Sequence, residues 1–167
     1  TGSGGMGKSF LLSQFRSLAL EKDIPVAFTD LRSPQHGAIS ILANWIEGLS
    51  HNFSLSFLDS KLKQIEVAES AESEHSLMRY FIQGINKRQI GNHPIVLMID
   101  SFELASRETE KWLSELMGLL KLEVRLVMAS RAFHHEFVSE WSPLLLQIEL
   151  APFNQEATMI YLKRHGI

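Results

Sequence analysis

Short continuous apolar runs alternate along this chain with longer segments in which apolar residues recur at helical spacing. The continuous runs have the length and β-branched content of buried parallel strands, and they lie at 25–29, 94–100, 124–131 and 144–150. The helical segments lie at 10–19, 38–49, 77–90, 108–122 and 154–165, and the Ser- and Glu-rich stretch at 54–76 is also predicted to be helix with exposed connections. This alternation predicts a parallel sheet with helices on both faces, and ligand chemistry at the carboxyl ends of its strands.

Composition narrows the class of protein. The chain has 167 residues, of which 45% are hydrophobic, which predicts one domain with one substantial core. Its net charge of -3 gives no electrostatic footprint for nucleic acid. The absence of cysteine excludes disulfides and Cys-ligated zinc and suits a cytoplasmic location. No run approaches the roughly 18 apolar residues that a membrane span needs, so we predict no membrane partner.

The most informative motif stands at the front of the chain. Gly2, Gly7, Lys8 and Ser9 complete the pattern G-x-x-x-x-G-K-[ST], the phosphate-binding P-loop. Glycines let several backbone N–H groups face phosphate oxygens, and the following helix presents its positive end to the same anion. In this role Lys8 reaches the β- and γ-phosphates and Ser9 ligates Mg²⁺. The motif predicts ATP or ADP with Mg²⁺ as cofactors and these nucleotide contacts: Gly2, Gly4, Gly5, Gly7, Lys8, Ser9 and Phe10.

A dinucleotide-binding unit is the formal competitor. Gly2, Gly4 and Gly7 also satisfy G-x-G-x-x-G, and Asp30 ends an apolar run at about the distance that a ribose-binding acid needs. The Lys8-Ser9 pair favours a triphosphate with its metal, which a dinucleotide does not require.

Two acids near the second long apolar run are candidates for the reaction centre. Asp100 ends the run, where a neighbouring strand of a P-loop site supplies a carboxylate to Mg²⁺; the alternative is a helix N-cap. Glu103 follows three residues later and could position the attacking water, or it could be a first-turn glutamate favoured by the helix dipole. The position directly after Asp100, where many ATPases carry an acid, is Ser101.

Two cations follow other predicted strands. Arg131 ends the third long run, where a guanidinium can sense the γ-phosphate and stabilise the charge that develops during transfer; the alternative is a surface cation. Arg32 follows the first run and is a weaker candidate of the same kind.

Four stretches together resemble the STAND and AAA-related P-loop ATPases of the additional-strand class, which include the NACHT and NB-ARC signalling switches and origin-recognition-like ATPases. The first two are the P-loop at 2–9 and the Walker B-like segment at 95–103. The others are the sensor-like segment at 126–131 and the segment at 150–157, which is similar to the "L-x-P-[LF]-x-x-x-E-A" start of a helical lid. They occur in the order found in the family.

The resemblance implies a three-layer P-loop NTPase fold with sheet order 5-1-4-3-2. We therefore expect residues 1–167 to be a nucleotide-binding domain that lacks its first strand, with lid and effector domains beyond residue 167. The resemblance also implies ATP-driven self-association or a partner protein bound through those other parts. Ser101 departs from the family pattern and predicts slow hydrolysis.

The resulting hypothesis is a nucleotide-controlled regulatory switch with ATPase activity. Lys8, Glu103 and Arg131 would act on phosphate and water, and Ser9 and Asp100 would hold the metal. A non-hydrolysing nucleotide-binding scaffold is the alternative, and a P-loop kinase for a small molecule is a third.

Overall fold

The computed structural model describes residues 7–33, 37–53, 71–87, 94–121, 123–133, 137, 139, 141–151 and 154–164. Its helices are α1 (Lys8–Glu21), α2 (Ala38–Phe53), α3 (Ala71–Lys87), α4 (Arg107–Leu119) and α5 (Gln155–Arg164). Its strands are β1 (Val26–Asp30), β2 (Ile95–Asp100) and β3 (Val124–Met128), and 3-10 turns span Phe102–Leu104 and Ser142–Leu144. Most predicted elements are confirmed within a few residues, although most of the 54–76 segment lies outside the described residues.

The three strands form one parallel sheet in the order β1-β2-β3. Asp30 at the end of β1 is in register with Asp100 at the end of β2, and Ile99 is in register with Met128 of β3. The chain is therefore a mixed α/β protein whose described sheet is parallel, as the alternation of apolar runs predicts.

One predicted strand is wrong. The run at 144–150 was expected to be the last strand, but residues 145–150 form no strand and do not join the sheet. A strand needs a neighbouring ladder to pair its backbone groups, and the described sheet ends at β3. Leu146 and Ile148 are accordingly exposed.

One face of the sheet is filled by α2, α3 and α4. Ala27 of β1 and Leu97 of β2 lie in the same cluster as Leu42, Trp45 and Phe81 of the helices, all of them almost completely buried. The Trp45 and Phe81 rings stack with centroids 6.1 Å apart, and Trp45 Nε1 donates to the Met98 carbonyl over 3.3 Å. This face contains the main hydrophobic core.

The opposite face is covered by α1. A smaller cluster joins Leu12 and Ala19 of α1 to Val26 and Met98 of the strands. Because strand side chains alternate between faces, Asp30 and Asp100 follow Val26 and Met98 onto this α1 face. Among the described residues, no helix is both long and apolar enough to cross a lipid bilayer.

Candidate functional site

The start of α1 and the ends of β1 and β2 meet at one edge of the sheet. Four residues, 22–25, connect the end of α1 to the start of β1, so the helix runs antiparallel to the strand. The 14 residues of α1 span ~21 Å and the five of β1 ~17 Å, so the first turn of the helix reaches the carboxyl end of the strands. Lys8 and Ser9 of that first turn therefore lie at the same edge as Asp30 and Asp100.

Gly7 fixes the way in which the chain enters α1. It is the N-cap residue and adopts a left-handed conformation with φ 77° and ψ 15°. Only glycine takes this conformation without strain, which explains the last glycine of the motif. The N-cap makes no side-chain hydrogen bond to the first turn, which contains no acidic residue. The positive end of the helix dipole is thus not offset by a carboxylate in its own first turn.

Of the predicted nucleotide contacts, Gly7, Lys8, Ser9 and Phe10 lie among the described residues, whereas Gly2, Gly4 and Gly5 lie outside them. Lys8 is half-buried, and the side chains of Ser9 and Phe10 are exposed at the start of the helix.

Asp100 is the most deeply buried acid of this edge. Its side chain is 3% exposed, and its Oδ1 accepts a 2.8 Å hydrogen bond from the Ser101 amide. Its Oδ2 is buried and has no hydrogen-bond partner among the residues that the structure describes, although Arg32 Nη2 lies 3.5 Å away. A buried carboxylate oxygen without a hydrogen bond is costly and marks a position where a ligand or cation would be stabilising. Asp100 is also not a helix N-cap, because that position of the following 3-10 turn belongs to Ser101.

Ser101 joins the two strand-end acids. It adopts a left-handed conformation, φ 58° and ψ 39°, which is rare for a residue with a Cβ. This conformation points its amide at Asp100, and its side chain forms a hydrogen bond that contributes to lowering the pKa of Asp30. Ser101 thus contacts both strand-end aspartates.

Asp30 and Arg32 form a bidentate ion pair at the end of β1. Arg32 Nε lies 3.1 and 3.0 Å from the two carboxylate oxygens of Asp30, and Nη2 lies 2.7 Å from Oδ2. The Arg32 backbone amide adds a 3.0 Å bond to Oδ1. The hydrogen-bonded guanidinium holds the pKa of the Asp30 carboxyl below its usual value, against an opposing effect of burial. Arg32 itself is 61% exposed.

Glu103 and Arg131, the predicted water-positioning acid and γ-phosphate sensor, contact each other. Arg131 Nε lies 3.1 Å from Glu103 Oε1, and the Arg131 amide donates to Oε2 over 3.1 Å. Arg131 is 67% exposed and Glu103 is 22% exposed. The two side chains therefore neutralise each other at the ends of β2 and β3.

Aromatic packing fixes the turn that carries Glu103. Phe102 is buried against Phe133 and Phe137, with ring centroids 5.8 and 5.3 Å away. The Phe102 amide also donates to the carbonyl of Ala129, directly after β3. These contacts tie the turn after β2 to the end of β3, so Glu103 and Arg131 stay adjacent.

A groove of about 660 Å³ opens beside β3. Phe15 and Leu18 of α1 line it on one side, Leu126 of β3, residues 144–148 and Leu150 line it elsewhere, and Lys8 is among the polar residues at its surface. The lining is mostly apolar, unlike a site for a triphosphate. The groove therefore differs in chemistry from the carboxylate edge, although Lys8 lies at both.

Among the described residues, the structure brings Asp100 together with Asp30 and Arg32, and Glu103 together with Arg131, and the start of α1 reaches the same edge of the sheet. Sequence reasoning assigned Asp30 only to the dinucleotide alternative and gave Arg32 a minor role, so it missed their link to Asp100. The signal was present, because Asp30 and Asp100 both end apolar runs and Arg32 follows two residues after the first. Within the described part of the chain, no group of three or more His, Asp or Glu side chains could hold a metal by itself.

In comparisons with known proteins, no family model matches this chain and no curated protein matches it.

Proposed function

We propose that this chain is the nucleotide-binding domain of an Mg²⁺-dependent ATPase switch, as its resemblance to the STAND and AAA-related ATPases implies. The observation that carries the proposal is the buried Oδ2 of Asp100, which has no hydrogen-bond partner among the described residues, at the edge of the sheet that α1 reaches with Lys8 and Ser9. A strand-end carboxylate beside a glycine-entered helix start is the arrangement that a metal-bound triphosphate requires.

The residues present fit an Mg²⁺ ion bound together with a nucleotide. Mg²⁺ commonly takes only one or two protein carboxylates and fills its remaining positions with water and phosphate oxygens. Asp100 and Ser9 would hold the ion, which would neutralise phosphate charge. The chain itself contributes the Lys8 ammonium for phosphate, and the start of α1 contributes a positive dipole with no acidic residue in its first turn.

We also propose that the complete sheet is that of a P-loop NTPase, with the strand order 5-1-4-3-2 in the numbering of that family. Supporting it, β3 is an edge strand of the described sheet, and the apolar groove separates it from residues 144–150. A further parallel strand in this groove, leading into the glycine-rich loop, would pair with β3 and give residues 144–150 a ladder partner. An open edge flanked by exposed apolar side chains is otherwise unfavourable.

ATP binding with and without Mg²⁺ tests the proposed function directly. Wild-type chain should bind ATP more tightly with Mg²⁺, and Lys8→Ala should abolish binding because it removes the cation that faces the phosphates. Lys22→Ala is the matched control, since Lys22 lies at the opposite end of the same helix. Its binding should equal wild type. Lack of binding by the folded wild type, or full binding by Lys8→Ala, would reject the proposal.

A nucleotide-binding scaffold without hydrolysis is the second candidate, favoured by two observations. Ser101 replaces the usual second acid, and the Glu103 carboxylate is engaged by Arg131. Phosphate release distinguishes the two candidates. A switch that hydrolyses ATP releases phosphate slowly and loses turnover, but not binding, in Glu103→Gln; a scaffold binds ATP and releases none.

A further inference from the structure

Arg32 lies between the two strand-end aspartates. Its Nη2 is 2.7 Å from Asp30 Oδ2 and 3.5 Å from Asp100 Oδ2. Register pairing fixes Asp30 beside Asp100, and both follow strand residues that face α1. One guanidinium nitrogen of Arg32 therefore interacts with two carboxylates on adjacent strands.

Arg32 is hydrogen-bonded to Asp30, whereas it only approaches Asp100. Arg32 makes three side-chain hydrogen bonds to Asp30 but none to Asp100, whose buried Oδ2 receives no hydrogen bond from the described part of the chain. A guanidinium held in this way offsets the charge of Asp100 without satisfying its oxygen. The buried Oδ2 of Asp100 thus keeps an acceptor position for a cation that binds it more strongly than Arg32 does.

The Arg32 side chain is more exposed than either aspartate, as displacement of Arg32 by a metal ion requires. The Arg32 side chain is 61% exposed and Asp30 is 28% exposed, whereas Asp100 is 3% exposed. Arg32 can turn into solvent, where an exposed guanidinium is well solvated, but it must first give up its bidentate hydrogen bonds to Asp30, which the divalent cation has to replace. Asp100 cannot turn away, since the Ser101 amide holds its other oxygen.

We propose that Asp30 and Asp100 form a two-carboxylate site for a divalent cation, in which Arg32 is the resident cation that the metal displaces. This inference rests on the role of Asp100 in the proposed function and adds Asp30 as a ligand and Arg32 as a competitor. Two carboxylates are within the number that Mg²⁺ or Mn²⁺ accepts from a protein. The site needs no nucleotide, so its test is independent of the P-loop.

Mn²⁺ binding to the 167-residue chain, followed by electron paramagnetic resonance without nucleotide, tests the proposal. Arg32→Gln removes the competing charge and should bind Mn²⁺ about tenfold more tightly than wild type, a change that corresponds to ~1.4 kcal/mol. Asp30→Asn in the Arg32→Gln background should reverse the gain because it removes a ligand. Asp100→Asn in the same background should abolish binding at this site.

Arg79→Gln is the control for net charge, because Arg79 is exposed on α3, on the opposite face of the sheet. Its Mn²⁺ affinity should equal that of wild type. Equal or weaker binding by folded Arg32→Gln would overturn the role of Arg32, and an unchanged double variant would overturn the role of Asp30. ATP binding by wild type and Lys8→Ala is measured separately, so failure of the nucleotide proposal and failure of this one are distinguishable.

A second measurement does not depend on the folding of a variant. In wild-type chain labelled with ¹⁵N-arginine, Mg²⁺ should move the Arg32 Nε–H resonance towards that of a solvated guanidinium, while Arg79 stays unchanged. A saturating Mg²⁺ titration that leaves the Arg32 resonance in place would overturn the displacement.

Discussion

The two faces of the sheet differ in how completely they are covered. Under α2, α3 and α4, Leu42, Trp45 and Phe81 are essentially inaccessible to solvent. On the other face, by contrast, Phe15 and Leu18 of α1 remain 42% and 49% exposed beside the groove. The difference indicates that the first face supplies most of the folding free energy, whereas the second face carries Gly7 and the two strand-end aspartates.

The helix starts on the two faces differ in the same way. On the packed face, the Ser106 side chain caps α4 by accepting a 3.2 Å bond from the Thr109 amide. On the other face, Gly7 begins α1 with no side-chain cap. A capped helix start contributes to stability, whereas an uncapped one leaves amide groups for an anion. The comparison therefore predicts different responses to substitution on the two faces.

Trp45→Ala should produce the largest loss of stability. The substitution removes a fully buried indole, its stacking on Phe81 and its hydrogen bond to the Met98 carbonyl. The expected decrease in the free energy of unfolding is about 3–5 kcal/mol. Urea denaturation followed by circular dichroism measures it.

Glu47→Ala is the matched control for that substitution, because Glu47 is exposed on the same helix. It should change the free energy of unfolding by less than ~0.5 kcal/mol. A loss below ~1 kcal/mol for Trp45→Ala would mean that the α2 face is not the main core.

Gly7→Ala should destabilise the α1 face by an intermediate amount. At φ 77° an added Cβ creates backbone strain even though no atom outside the neighbouring residues lies within 4 Å of its position. We expect a loss of about 1–2 kcal/mol in the free energy of unfolding, again measured by urea denaturation.

Gly118→Ala on α4 is the control, and it should change the free energy of unfolding in the opposite direction. Gly118 is also free of contacts at its Cβ position, but it is helical and has no positive φ. Alanine there should stabilise the protein by about 0.5–1 kcal/mol. Equal effects at the two glycines would show that backbone conformation at Gly7 is not the cause.

Sequence reasoning succeeded where the signal is local. The apolar runs that end at Asp30 and Asp100 predict strands because every residue from Ile95 to Ile99 can pack against a helix-covered face. It failed at 144–150, where the apolar pattern is equally strong but no strand of the described sheet is available to pair with it. Pairing partners are a property of the whole fold and cannot be read from the segment alone.

The candidate site divides in the same way. The glycine-lysine motif and the strand-end acids can be found from spacing, since each has a fixed position relative to a strand or helix. The ion pairs could not be predicted from the sequence. Glu103 and Arg131 are 28 residues apart in the chain, and Arg32 and Asp100 lie at the ends of two different strands. Long-range register, which no local pattern encodes, decides which charges become neighbours.

Phe15→Ser should have a smaller effect on stability than Trp45→Ala or Gly7→Ala and so tests the comparison between the two faces. Phe15 keeps roughly half of its surface in water, so its removal should lower the free energy of unfolding by only ~1 kcal/mol. The substitution should also reduce binding of the dye ANS, since it removes an aromatic wall of the apolar groove. Glu47→Ala again serves as the control and should leave dye binding unchanged. A loss approaching that of Trp45→Ala, or undiminished ANS fluorescence, would mean that α1 packs as tightly as the opposite face and that the groove is closed in solution.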